Sequence, residues 1–141
     1  MYDNIFINGS GDAIHIQPHN DVPRDMAIFS NTVLASGTGI RVRQVEGTPY
    51  RQQVIANVVA AATPLQGGEA AHNVTLAYRP DWLNIPAPEL TSRLLTHSRQ
   101  TRRLPKKQVR ELMDYPDWQG SLLLGARVAP ALLRTLDTLQ P

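Results

Sequence analysis

The chain of 141 residues contains no cysteine. This absence excludes disulfide bonds, thiolate zinc sites and catalysis by a cysteine nucleophile. Long hydrophobic runs are also missing, since no stretch approaches the roughly 18 apolar residues that span a bilayer. The first residues, Met1 to Asn4, lack the basic and apolar regions of a signal peptide. We therefore expect a soluble, cytoplasmic protein whose residues 1–141 form a single domain.

Acidic residues are scarce in the C-terminal part of the chain, where none occurs between Glu89 and Glu111. Residues 1–90 carry a net charge of −3 and residues 91–141 a net charge of +5, which gives the overall +2. Half of the basic residues lie in one stretch, namely Arg93, Arg99, Arg102, Arg103, Lys106, Lys107 and Arg110. This stretch predicts a polyanionic partner, although a solvated helix face has the same pattern.

The N-terminal half, to about residue 80, is predicted to be a β-sheet. Paired isoleucines flank a turn-forming segment, Asn8-Gly9-Ser10-Gly11-Asp12, and this arrangement is typical of an antiparallel hairpin. Further strands are predicted from Ile40 to Glu46 and from Asn73 to Arg79. The sequence is interpreted as having no internal repeat and no low-complexity tract.

The segment from Tyr50 to Ala62 fits either a helix or a strand. Its apolar residues have helical spacing, but they also alternate, and their β-branched side chains favour the strand that we predict. In that register one apolar face of the sheet needs a helical cover, and its residues are Val42, Val54, Val58, Val74 and Leu76.

From Pro86 onward the pattern becomes helical. A helix from Glu89 to Thr101 is predicted on the leucines at positions 90, 94 and 95, a second helix from Pro105, and a third from about Ala129. The sequence therefore predicts an α+β fold in which residues 1–80 form a hairpin and antiparallel sheet, and residues 81–141 form a helical region.

No catalytic or cofactor-binding motif is present. His15 and His19 lie near Asp12 and Asp21, but the intervening Pro18 gives no reason for these side chains to converge on a metal. Serine, histidine and aspartate residues are available for a triad, but the Gly-x-Ser-x-Gly elbow is missing. The glycine pairs lack the Gly-Lys-Ser/Thr ending of a phosphate loop. We predict that the protein is not an enzyme and has no cofactor.

A string of landmarks in residues 4–80 resembles the coat proteins of the single-stranded RNA bacteriophages. The landmarks, in chain order, are Asn8-Gly9 through Gly11-Asp12, Pro18 and Asn20, Phe29-Ser30-Asn31, Val42-Arg43-Gln44, Arg51, Gly67-Gly68, and Asn73 to Leu76. The resemblance departs at the C-terminus, where 61 residues follow Pro80 and the family usually has two helices and a short tail.

The resemblance implies a structural capsid protein. In that family, the sheets of two subunits pair edge to edge, the helices lie across the partner's sheet, and the interlocked homodimers form an icosahedral, virus-like shell around RNA. The expected location is the virion, and the bacterial host cytoplasm during assembly. A second implied role is repression of translation through an RNA hairpin, which the resemblance assigns to Arg43, Gln53, Asn57, Asn73 and Thr75.

The polar face of the predicted sheet offers donors for phosphate, ribose and base edges. The predicted RNA-binding residues are Arg41, Arg43, Arg51, Gln53, Asn57, Asn73, Thr75 and Arg79. Two other readings stay open. One is a small nucleic-acid-binding regulator that uses its basic helices, and the other is a protein-interaction adaptor that binds no nucleic acid.

Overall fold

The computed structural model describes residues 1–19, 21, 23–43, 47, 49–100 and 124–126. Eight strands occur within these residues: β1 (Ile5–Asn8), β2 (Ile14–Ile16), β3 (Met26–Phe29), β4 (Thr32–Val42), β5 (Gln52–Ile55), β6 (Val58–Gln66), β7 (Glu69–Ala71) and β8 (Val74–Ala77). A short 3-10 helix, Pro80–Asn84, and helix α1, Ala87–Ser98, follow the strands.

Each paired strand among these eight runs parallel to its neighbours. One sheet has the order β1-β4-β6-β8, with β2 also on β4, and the second has the order β3-β5-β7. The chain alternates between the sheets, because β3 leads into β4, β5 into β6 and β7 into β8. The strands therefore form successive coils stacked on one another, and the predicted α+β fold with an antiparallel sheet is wrong.

The predicted N-terminal hairpin is replaced by two strands that lie end to end. β1 pairs with Thr32–Ala35, and β2 pairs with Ile40–Val42, both in parallel with β4. The turn-rich segment between β1 and β2 loops outward beside the point where β4 shifts register, between Ala35 and Thr38. The segment does contain turn-forming residues, but the long strand β4 pairs with the strands on both sides of it. The chain therefore does not reverse its direction between β1 and β2.

A two-residue corner recurs wherever the chain enters the long sheet, before β1, β4, β6 and β8. Asp3, Ser30, Ala56 and His72 have left-handed φ angles of 55°, 51°, 59° and 58°. Each is followed by an asparagine and then by isoleucine, threonine or valine. This corner is an internal repeat, so the interpretation that the sequence contains none is wrong. A few residues per coil, at unequal spacing, carry the repeat.

The corner asparagines bond to one another along the stack. Asn57 is fully buried. Its Oδ1 accepts the backbone N–H and Nδ2–H of Asn31, each at 3.0 Å, and its Nδ2 donates to Asn73 Oδ1 at 3.0 Å. A sharp corner interrupts the regular ladder of backbone hydrogen bonds, and buried polar groups left there need other partners. The amide side chains supply these partners.

Alternation along the strands gives the long sheet two buried faces. Val33, Ala35, Val59 and Ala61 belong to an apolar cluster with Ile28 and Val54 of the other sheet. The alternate residues Leu34, Val58 and Ala60 belong to a second cluster that includes helix α1. The single predicted apolar face is therefore wrong. Val42 and Val54 lie in the first cluster, whereas Val58, Val74 and Leu76 lie in the second.

Helix α1 covers the second of these faces. Its Leu90, Leu94 and Leu95 are buried, and the helix ends at Arg99, whose φ of 59° is left-handed. Thr91 Oγ1 lies 2.6 Å from Thr32 Oγ1, so a buried hydroxyl pair ties the helix to β4. The prediction of a helix here is confirmed. The helices predicted from Pro105 and Ala129 lie outside the described residues.

The prediction of strand for Tyr50 to Ala62 is also confirmed, because β5 and most of β6 fall within it. The corner at Ala56 and Asn57 divides the segment and explains its mixed periodicity. A left-handed residue breaks the alternation, so apolar residues on either side keep a spacing that imitates a helix. None of the helices among the described residues is long and apolar enough to cross a bilayer.

Candidate nucleic-acid interface

A row of polar side chains crosses the long sheet near the C-terminal ends of β2, β4 and β6. His15 of β2 is the register partner of Arg41 in β4, and Arg41 is the partner of Gln66 in β6. Their strand neighbours, including Ile14 and Ile40, point into the apolar cluster between the sheets. Because successive side chains of a strand point to opposite faces, the polar row lies on the outer surface. We call His15, Arg41, Arg43 and Gln66 the polar row.

Arg41 is held in place by three neighbours. Its Nε donates to Gln66 Oε1 at 2.8 Å, and its terminal nitrogen donates to Thr38 Oγ1 at 3.0 Å. The same nitrogen lies 3.6 Å from Asp12 Oδ2. These contacts fix the orientation of the guanidinium group and leave its side chain 36 % exposed. A partner that approaches the surface meets a cation whose conformational entropy is already reduced.

Asp12 is the anion behind the polar row. The backbone N–H of Thr38 donates to its Oδ1 at 2.6 Å. This hydrogen bond is the main cause that lowers the pKa of the Asp12 carboxyl, and the positive charge of Arg41 lowers that pKa further. The carboxylate therefore stays ionised at neutral pH and keeps Arg41 in place.

Arg43 extends the polar row past the end of β4. Its backbone N–H donates to Ile16 O at 2.8 Å, so the strand pairing continues to this residue. Two residues separate it from Arg41, which places both side chains on one face. Arg43 is exposed, and no carboxylate in the described part of the chain pairs with it, whereas Arg24, Arg51, Arg79 and Arg93 each pair with one.

The structure does not bring the eight predicted RNA-binding residues together. Arg41 and Arg43 lie on the polar row. Arg51 and Gln53 lie at the short sheet, where the Arg51 guanidinium group is 3.0 Å from the Glu69 carboxylate. Arg79 follows β8, pairs with Asp81 at 2.9 Å and lies over the Trp82 ring. The prediction assumed one flat sheet, whereas the chain divides its strands between two.

Two predicted contacts are structural residues in this fold. Asn57 has no exposed surface and cannot touch RNA. Asn73 Oδ1 accepts the backbone N–H of Asn57 at 2.9 Å, and its Nδ2 donates to Val54 O at 2.8 Å. Thr75 is exposed on β8, which pairs with β6 only from Val58 to Ala61 and so does not reach Gln66 of the polar row. The Asn-x-Thr pattern in the last strand marks a corner rather than a polar face.

Sequence reasoning did not select His15 and Gln66, which the structure places in the polar row. It considered His15 and Asp12 as possible metal ligands, but in the structure Asp12 bonds Thr38 and Arg41 instead. No group of three potential ligands among the described residues is placed to hold a metal ion. The signal for His15 was its position between Ile14 and Ile16, which directs it outward because Ile14 is buried and Ile16 half-buried on the opposite face.

Two open grooves lie elsewhere on the described surface. The first, of about 460 Å³, runs between the 3-10 helix and α1, and Asp81, Arg93 and His97 are among its lining residues. Asp81 and Arg93 are already paired with Arg79 and Glu89. The second, of about 480 Å³, runs along β8 from His72 to Leu76 and faces Ser98, Gln100 and Leu124. Neither shows a nucleophile oriented by a base.

Searches of protein-family models, curated proteins and solved structures found no match to this chain.

Proposed function

We propose that the protein is a non-catalytic, structural protein that binds single-stranded RNA along the polar row. The observation that carries the proposal is the position of Arg43, an exposed arginine without a described carboxylate partner, in line with the oriented guanidinium group of Arg41. The two guanidinium groups attract phosphates, with Arg43 as the stronger site because Asp12 lies 3.6 Å from Arg41, and neutralising a phosphate releases condensed counterions. The chain's net charge of +2 acts in the same direction.

The chemistry of the neighbouring side chains favours an unpaired nucleic acid. Gln66 presents an amide and His15 an imidazole on the same exposed surface. Single-stranded RNA offers unstacked bases whose edges accept and donate hydrogen bonds, whereas a duplex hides most of them. The stacked coils hold these groups at the spacing of neighbouring strands, about 4.8 Å, on a rigid support.

The proposal is narrower than what the coat-protein resemblance implied. An icosahedral shell, location in a virion and repression through an RNA hairpin all depended on an antiparallel sheet and interlocked dimers. The parallel sheets remove that support, so these expectations stay predictions. We keep RNA binding as a proposal because it depends on exposed cations rather than on strand direction.

A second candidate site is the basic stretch from Arg93 to Arg110, which contains half of the basic residues. Within its described part, Arg93 lies 3.9 Å from the Glu89 carboxylate, and Arg99 ends helix α1. A regulator that binds nucleic acid through this stretch would need no contribution from the polar row.

Fluorescence anisotropy with a labelled single-stranded oligouridine, measured over a series of salt concentrations, tests the proposal. We expect Arg43→Gln to weaken binding several-fold and to reduce the slope of log K against log salt by about 0.7, the value for one lost phosphate contact on a single strand. Arg24→Gln is the matched control, because Arg24 is exposed but pairs with Asp21 at 2.9 Å.

Two outcomes contradict the proposal. Absence of binding by the unmodified protein at low salt refutes RNA as its ligand. The second outcome has two parts: Arg43→Gln and Arg24→Gln show equal affinities and salt slopes, and binding is lost when the basic residues in 102–110 are replaced by glutamine. This result would assign RNA binding to the basic stretch instead. Both variants should keep the unfolding midpoint of the parent chain, since both side chains are exposed.

A further inference from the structure

The asparagine ladder has a direction. The backbone N–H and Nδ2–H of Asn4 donate to Asn31 Oδ1, each at 3.1 Å. Asn31 donates in the same way to Asn57, and Asn57 to Asn73. One end of the ladder therefore presents the Asn4 Oδ1 acceptor, and the other end presents the Asn73 donors.

The backbone repeats the same direction at each corner. Each corner asparagine carbonyl accepts the N–H of the residue that follows the next asparagine: Asn4 O from Thr32 at 2.9 Å, Asn31 O from Val58 at 2.9 Å, and Asn57 O from Val74 at 2.8 Å. Asn73 O is the next member of this series. By the same rule its donor is the N–H of a residue that follows a corner asparagine one coil further on.

Within residues 1–100 and 124–126, as far as the structure describes them, the strands at the two ends of the stack have no partner on their outer edges. Val74 and Tyr78 direct their N–H groups to the carbonyls of Asn57 and Ala61. Backbone groups alternate in direction along a strand, so the N–H groups of Thr75 and Ala77 point away from the stack. Strand β8 pairs only with β6, and β1 only with β4, among the described residues. An unpaired edge of this kind is a template for another strand.

Exposed hydrophobic side chains concentrate at the β1 end. Four large hydrophobic residues of the described chain are exposed, and three of them, Met1, Tyr2 and Ile7, lie within its first eight residues at 41 %, 37 % and 44 %. The opposite end carries the groove of about 480 Å³ along β8, where Val74 and Leu76 are half-buried. The exposed hydrophobic residues of one end thus have the half-buried Val74 and Leu76 as their counterpart at the other, in a groove whose remaining described lining is mostly polar.

We propose that a second copy of this chain docks its first coil onto the open edge of β8. In this arrangement Asn73 O accepts the N–H of the second copy's Ile5, and the second copy's Asn4 Oδ1 accepts from Asn73. Two columns of register partners then continue across the junction. The column in the long sheet is Ile7, Leu34, Ala60 and Leu76, and the column in the short sheet is Tyr2, Phe29, Ile55 and Ala71. The same contacts that stack coils within the chain join the copies.

The contact is head-to-tail, so each copy keeps one free end and the association stays open. Such heterologous contacts form filaments unless a rotation closes them. Four strand levels at about 4.8 Å each give a rise of about 19 Å per copy. This association does not depend on RNA, and the experiment uses protein from which nucleic acid has been removed.

Sedimentation velocity of two complementary variants tests the proposal. Ile7→Lys places a charge on the β1 end and leaves the β8 end intact. Thr75→Pro removes an outward N–H from the edge of β8, where proline is tolerated, and leaves the β1 end intact. We expect the unmodified protein to form a concentration-dependent series of oligomers and each variant alone to sediment as a monomer.

The equimolar mixture of the two variants distinguishes this contact from other kinds of association. It should form one dimer and nothing larger, because only the intact β8 end of Ile7→Lys and the intact β1 end of Thr75→Pro remain to pair. Circular dichroism identical to that of the parent verifies that both variants are folded. Should either fail this check, Tyr2→Asp and Ala77→Pro replace Ile7→Lys and Thr75→Pro.

The proposal is overturned by either of two results. The first is an unmodified protein that stays monomeric across the accessible concentration range. The second is a parent that associates while the folded variants fail to show complementary ends: variants that each associate alone place the interface elsewhere on the surface, and variants that stay monomeric both alone and mixed show that the two ends do not pair.

Discussion

Replacing Asn57 with alanine removes the centre of the asparagine ladder. The substitution leaves the buried N–H of Asn31 without its 3.0 Å partner. It also deletes the hydrogen bonds of the Asn57 amide group to Ile28 O, to Asn73 Oδ1 and from Asn31 Nδ2. An orphaned buried donor costs about 1–3 kcal/mol, and each lost bond roughly 1 kcal/mol or less where another partner remains, so we expect a loss of about 2–4 kcal/mol.

Urea unfolding followed by far-ultraviolet circular dichroism measures this loss. Asn4→Ala is the matched control, because Asn4 is exposed at the end of the ladder and water can replace its side-chain bonds, so its cost should stay below about 1 kcal/mol. Asn73→Ala should fall between the two. The reasoning is refuted if Asn57→Ala costs no more than Asn4→Ala, since burial would then have no influence on the ladder.

Three further substitutions test other parts of the fold. Asp12→Asn should lower stability at neutral pH. Because the folded pKa of Asp12 lies below its unfolded value of 3.8, the difference from the parent should disappear as the pH falls through the folded pKa, and a difference that persists in acid contradicts the role of the charge. Thr91→Val breaks the hydroxyl pair with Thr32 and should cost about 1–2 kcal/mol in urea unfolding. Leu94→Ala should cost about 2–4 kcal/mol if helix α1 covers the sheet, and near zero if it does not.

The positions of many elements could be predicted from the sequence. The strands that begin at Ile5, Ile14 and Val74, and the helix stripe at Leu90 and Leu94, follow from alternation and from helical spacing. These patterns report which side chains are buried, and burial is nearly independent of the direction in which neighbouring strands run. Local prediction therefore succeeded while the fold class failed.

Strand direction could not be predicted from alternation or helical spacing, because it depends on pairing between residues that are far apart in the sequence. The Asn8 to Asp12 segment has turn residues that suit a hairpin, yet β4 is long enough to pair with both flanking strands. Parallel sheets usually show continuous hydrophobic runs, and β4, buried on both faces, contains such a run from Val33 to Ala35. Reading that run together with the recurring asparagine corners would have favoured parallel coils.

The candidate site was predicted only in part for the same reason. Arg41 and Arg43 were placed correctly on one exposed face, because that inference needs only alternation within a strand. Asn57 was misplaced because a left-handed residue at Ala56 turns the chain and buries the next side chain. Polar residues at corners resemble those of a wet sheet face until the corner itself is recognised.

Engineered disulfide bonds test the parallel stacking most directly, since the chain has no cysteine of its own. Gln53 and Glu69 are register partners on neighbouring parallel strands, and the strand spacing of about 4.8 Å lies within the Cα range that a disulfide bridges. Ile7 pairs with Leu34, and Ile14 pairs with Ile40. Because these two partners are six residues apart along β4, Ile7 and Ile14 lie about 20 Å from each other.

We therefore expect the double variant Gln53→Cys and Glu69→Cys to oxidise within one chain, as shown by faster migration on a non-reducing gel. The variant carrying cysteines at positions 7 and 14, which an antiparallel hairpin would bring together, should stay reduced as a monomer. Efficient cross-linking of positions 7 and 14 without cross-linking of 53 and 69 would contradict the stacked parallel coils.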